Sequence, residues 1–268
     1  IQLPNVENYI AFMRGPILLG AKTGTEDLHG LLAGDGRWDQ YPGGKMLPID
    51  QAPILIEDDI KNIADKLIPV KDNPMKFKLE VKMVNPVDVT LEPFANIHDS
   101  RYMIYWLALT SNGYNSYKDS LTKRENEKIA IEKRTIDFIA TGEQQPETDH
   151  DMKMEHSESG NSNNEFYREA SRGGFFSYDM NTNSETNLSL LVRYWGVEWG
   201  GRKFEIYIDN ELLLTEDNTG RWNQSKFYDI NYEIPNSMVK NKDKIRVKFQ
   251  ALPGNTAGPI YFVRLLKK

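Results

Sequence analysis

The chain has 268 residues, 39% hydrophobic, 27% charged and 11% aromatic, with a net charge of −6. That length fits about two domains with cores of their own. The acidic balance argues against the basic face of a nucleic-acid binder, and the lack of cysteine removes disulfides, thiolate catalysis and cysteine-held zinc. No apolar run approaches the ~20 residues of a bilayer-spanning helix, so no membrane contact is expected. No secretory leader opens the sequence, and its start at Ile1 without Met leads to the expectation of an upstream part.

Residues 9–21 (YIAFMRGPILLGA) place two apolar runs around Arg14-Gly15-Pro16, the punctuation of paired strands. Residues 23–53, rich in Gly, Asp and Pro, predict a long irregular excursion. A strand is expected over 53–56 and a short helix over 60–67. Residues 77–83 (FKLEVKM) alternate as one strand, and the nearly all-apolar stretch 101–110 (RYMIYWLALT) predicts a strand buried on both faces. Residues 116–134 are polar and rich in helix formers, without Gly or Pro. They predict a surface helix linking two sheet domains, with Glu125, Glu127 and Glu132 breaking up its basic residues. Residues 141–162 read as an extended acidic loop.

Short alternating runs follow: 188–195 (LSLLVRYW), 203–209 (KFEIYID), 244–250 (KIRVKFQ) and 259–266 (PIYFVRLL), with a tight turn at Asp209-Asn210. The fold class is therefore mainly β. Two β-sandwich domains, residues 1–112 and 141–268, are joined by a helical linker over 113–140, and the C-terminal one has the strand pattern of a galactose-binding-like jelly roll.

Several blocks resemble the C-terminal part of glycoside hydrolase family 127: FMRGPILLGA (12–21), LEPFANIHDSRYMIYW (91–106), GEQQPETDH (142–150), GGFFSYD (173–179), VRYWG (192–196) and AGPIYFVRL (257–265). The resemblance runs in order over nearly the whole chain. It implies parentage among β-L-arabinofuranosidase-like enzymes of bacteria, periplasmic or secreted, acting on plant-type arabinose-containing glycans. Their catalysis lies in an N-terminal (α/α)6 barrel with a zinc-bound cysteine nucleophile and a glutamate acid/base. With no cysteine here, neither nucleophile nor metal site maps onto this chain, so no catalytic residue, metal or cofactor is assigned to it. The barrel is the expected partner, with a homodimer and a glycan as further ones.

Among polar clusters, His98, Asp99 and Arg101 read either as a buried ion-pair and hydrogen-bond set opening a core strand or as a polar cluster reaching the sugar site of the missing barrel. Glu143, Gln145 and His150 are grouped with them as a domain-interface set. The acids and histidines of 143–156 lack a recognised metal spacing, and a solvated or docked acidic loop is the simpler reading. No pair among the 39 acids is marked out for glycoside hydrolysis. Tyr194, Trp195, Trp199, Arg202 and Trp222 are the candidates for binding carbohydrate, since sugar C–H faces stack on aromatic rings while Arg and carboxylates bind hydroxyls. The plainer alternative is that these rings cover the sandwich ends.

Overall fold

The computed structural model describes residues 1–4, 6–32, 36 and 51–268, so most of the excursion expected over 23–53 lies outside the described residues. The chain divides into two compact units, Ile1–Arg124 and Glu125–Lys268.

The first unit carries β1 (Tyr9–Ile10), β2 (Phe12–Arg14), β3 (Ile17–Gly24), β4 (Ile54–Ile56), β5 (Leu67–Val70), β6 (Asn73–Leu79), β7 (Lys82–Val84), β8 (Thr90–Pro93), β9 (Arg101–Met103) and β10 (Trp106–Leu109). One sheet has the order β1-β10-β4-β7; the other runs β2-β3-β8-β6-β5, with β9 also pairing β3. Ile10, Leu55, Trp106 and Ala108 from the first sheet meet Phe12, Leu19, Phe77 and Leu91 from the second in one core, which makes the unit a sandwich. The short helix expected near residue 60 is a 3-10 segment, Ile60–Lys66.

Two expected strands are each split between the sheets. Residues 77–83 end β6 and form β7, and residues 101–110 form β9 and β10. The run 101–110 is therefore not one strand buried on both faces, and Tyr102 and Tyr105 between its core residues are exposed. The chain crosses from sheet to sheet at these points. Both sheets face the same core, so the hydrophobic signal continues through the crossing while the backbone pairing changes.

Helix α1 (Ser111–Arg134) spans the division between the units and contains no buried residue, as its polar composition predicts. Among the described residues no helix is long and apolar enough to cross a membrane, which says nothing about a β-barrel. The second unit continues with β11 (Thr135–Ala140), α2 (Gln144–Asp149), β12 (Lys153–Ser162), β13 (Glu165–Asn181), β14 (Leu188–Trp195), β15 (Lys203–Ile208), β16 (Glu211–Asp217), β17 (Phe227–Glu233), α3 (Asn236–Val239), β18 (Lys244–Ala251) and β19 (Ala257–Lys267). Residues 135–140, read as the end of the helical linker, are thus a strand paired with β19. The extended loop expected over 141–162 is instead α2 followed by β12. As a strand paired only with β13, β12 is held by backbone bonds and is solvated on both faces, so no period-2 apolar pattern betrays it.

The strand order is β16-β15-β18-β13-β19-β14-β17. This path folds on itself because the 17-residue β13 pairs with β19 through Arg168 and Ala170 and then with β18 from Phe175 onward. The bend falls at Arg172-Gly173-Gly174. Gly173 has φ +73°, and a Cβ on Gly174 would lie 2.1 Å from the Glu155 carbonyl oxygen. Inward residues of β13, β14, β15, β18 and β19 share one core, including Phe176, Tyr178, Val192, Phe204, Ile206, Phe249 and Val263. This is the mainly β, sandwich architecture expected from the alternating runs.

Candidate functional site

Alternation on β14, β17, β19 and β11 sends every second side chain to the outer face of the sandwich. Leu190, Val192 and Tyr194 enter the core, while Leu191 and Arg193 face out; Phe262 and Arg264 do so on β19, Phe138 on β11 and Phe227 and Asp229 on β17. A register shift opposite Arg193-Tyr194 leaves Tyr261 as the extra residue of a bulge, which brings its ring to the same cleft. The C-terminal turns of α1 and the β12–β13 hairpin flank this face, and the resulting cleft has a volume of about 530 Å3.

Cations and rings alternate along the cleft floor. The Arg193 guanidinium lies 5.1 Å from the Phe227 ring centre and 4.5 Å from that of Phe262. Arg264 lies 5.4 Å from Phe262 and 4.3 Å from Phe138. Arg193 Nε and Nη2 donate to the two Asp229 oxygens at 2.8 and 3.0 Å, and Nη1 donates to Glu165 at 3.0 Å. Arg264 donates to Thr135 Oγ1 at 3.0 Å and pairs with Glu132 at 2.7 Å. Burial works against the Arg193 charge, and the bonds to Asp229 and Glu165 outweigh it, so its affinity for the proton rises. The hydrogen bond from Arg264 is the main cause that holds the Glu132 carboxyl below its usual value. Phe166 at the hairpin end is 48% exposed and Phe138 38% exposed, so flat apolar faces remain open beside these polar groups. Rings for C–H faces and carboxylate oxygens for hydroxyls are what a polyhydroxylated ligand needs.

Of the residues expected to bind carbohydrate, Tyr194 is ruled out as an exposed contact. It is buried in the core, and its hydroxyl is 3.0 Å from that of Tyr232. Burial is the main cause that raises both phenols far above their usual range, and Tyr232 also bonds Glu216. Trp222 is a half-buried layer of a stack, 4.6 Å from Tyr228 and 6.0 Å from Tyr194. Trp195 meets Phe227 edge to face at 4.9 Å. Arg202 spends its donors on the protein: Nε on the Trp199 carbonyl, Nη1 on Glu169 and the Gly258 carbonyl, and Nη2 on Glu198. Burial, with Glu169 adding and Arg202 opposing, raises the Glu198 carboxyl. Trp199 stands on this pinned loop 84% exposed. The five residues therefore do not form one site; Trp199 alone presents a free ring.

The interface set divides between the units. His98 and Asp99 are exposed and, among the described residues, no ion pair joins them to Arg101, which instead opens its strand with hydrogen bonds to the Glu26 and Asp27 carbonyls at 3.0 and 2.7 Å, so of the expected buried set only these hydrogen bonds form. Gln145 bonds Asp149 at 2.7 Å, and His150 bridges the Pro146 carbonyl and Asp137. Glu143 lines the cleft. Glu147, by contrast, is buried. It accepts two bonds from Arg168 at 2.6 Å, one from Tyr178 at 2.7 Å and one from the Gly142 amide at 2.8 Å. No group of three or more metal-binding side chains occurs among the described residues. Sequence reasoning missed Phe138, Glu165, Phe166, Arg193, Asp229 and Arg264. The available signal was Arg and Phe on the outward positions of strands whose solvent face would ordinarily be plainly polar.

Fold and cleft define a mainly β protein of two sandwich units, the second with a solvent-facing cleft on one sheet. The family of unknown function DUF6805 matches residues 130–266, just over half of the chain, and the chain belongs to that family. A domain of unknown function, DUF4986, matches residues 1–108. No curated protein matches. Similar solved structures include a family 35 carbohydrate-binding module from Clostridium thermocellum, with TM-score 0.34 and 13% identity over 44% of this chain and 93% of that one. A family 35 module from Paenibacillus barcinonensis has TM-score 0.33 and 11% identity over 44% and 93%. The C-terminal family 6 module of a marine laminarinase from Zobellia galactanivorans has TM-score 0.34 and 14% identity over 48% and 98%.

Proposed function

We propose that residues 125–268 form a carbohydrate-binding module whose ligand lies in the sheet-face cleft. The observation that carries this is the cleft itself. Exposed Phe138 and Phe166 offer faces for sugar C–H groups beside carboxylates held in place by Arg193 and Arg264. Concave sites with rings and a few fixed polar groups are where small ligands bind. The exposure of Trp199 favours a second contact point for the same class of ligand.

In this reading the chain is a non-catalytic accessory region of a periplasmic or secreted carbohydrate-processing protein. The family 127 resemblance is the support for a parent bearing an (α/α)6 barrel. Calorimetric titration with arabino-, galacto-, xylo- and gluco-oligosaccharides tests the binding claim. At least one should bind, and Phe138→Ala or Phe166→Ala should each weaken it about ten-fold, or ~1.4 kcal/mol. No heat with any glycan, or binding indifferent to both substitutions, would remove the claim.

A further inference from the structure

Resting on the glycan-binding reading, we propose that the cleft takes neutral, hydroxyl-rich sugar segments and discriminates against uronates. The cleft is lined by the cations Lys128, Arg193 and Arg264 and by the carboxylates Glu132, Glu143, Glu165 and Asp229, a balance of 3 − 4 = −1. Both guanidinium groups are already neutralised. Arg193 lies between two acids, with Asp229 occupying its fork in the two-bond geometry that a uronate carboxylate would otherwise take. Arg264 is bound by Glu132 and Thr135.

Ring contacts on Phe227, Phe262 and Phe138 hold the guanidinium planes in place, so turning one toward an incoming carboxylate would break stacking as well as an ion pair. Lys128 is the one lining cation with no ion pair among the described residues, and it sits on an exposed helix position where a single charge is screened. Hydroxyl groups meet no such obstacle. They would donate to the remaining lone pairs of carboxylates already held by Arg193 and Arg264, which leaves the Arg–ring ladder intact.

The test is titration of the whole chain with the neutral oligosaccharides named above and with oligogalacturonate, at low and high salt. A neutral ligand is expected to bind at least about ten-fold tighter than oligogalacturonate, with little salt dependence. Asp229→Asn, which removes the charge that neutralises Arg193 and one of the two acceptors in its fork, is expected to gain about ten-fold in oligogalacturonate affinity, with that gain lost in high salt. Oligogalacturonate binding to the unmodified chain as tightly as the best neutral sugar would overturn the preference while leaving glycan binding standing. A folded Asp229→Asn chain that gains nothing would also overturn it. Failure of every neutral and acidic probe would remove both the preference and the reading on which it rests.

Discussion

Glu147 and Arg168 are the most deeply placed ion pair in the second unit, with side chains 3% and 7% exposed. Removing one partner strands a buried charge, so Arg168→Leu should cost ~3–5 kcal/mol in urea unfolding. Burial alone would raise the Glu147 carboxyl; bonds from Arg168, Tyr178 and the Gly142 amide outweigh it and lower the pKa. Its stabilising contribution is therefore present above the unfolded value near 4.5 and is lost as pH falls through the lower folded value. Urea midpoints followed from neutral pH to about pH 3 should fall in the native chain and fall less steeply in Glu147→Gln. An equally steep fall in the variant would assign the acid sensitivity elsewhere. At this scale the sequence was only partly legible. Glu147 stood among the acids of an apparent loop, and its burial depends on Arg168, 21 residues on.

The element that shapes the second unit is β13. Its bend at Gly173-Gly174 moves the strand from one pairing partner to another, and the two glycines serve it differently. Gly174 is constrained by space, so Gly174→Ala should overpack against the Glu155 carbonyl and cost ~1–3 kcal/mol. A Cβ on Gly173 would meet nothing within 4 Å, and its φ of +73° makes Gly173→Ala a backbone penalty of ~1–2 kcal/mol. Denaturation of both variants checks this, and a Gly174→Ala chain as stable as the parent would mean β12 yields freely. Strands β15 and β18 were legible because one face of each is buried, which imposes alternation, and β14 and β19, buried on both faces, because each is a short apolar run. Strands β9, β10 and β12 were not. The first two divide a continuous apolar run between two sheets, and the third is solvated along its length.

For the whole molecule, the two units own separate cores, one around Trp106 and Leu91 and one around Phe249 and Ile206. Cooperativity follows shared burial, so calorimetry should show two transitions. Leu91→Ala should lower one and Ile206→Ala the other, each by ~2–5 kcal/mol in its own unit. A single transition moved equally by both substitutions would mean that the units unfold together.

Class and the main sandwich strands follow from residue order alone, because alternation, turn residues and helix formers act over a few neighbours. The cleft does not. Phe138, Arg193, Asp229 and Arg264 come from four strands far apart along the chain, and strand order and the Tyr261 bulge bring them together. Nothing local to any one of those strands says which outward side chain its neighbour will supply. Tertiary pairing decided that, and with it the chemistry of the site.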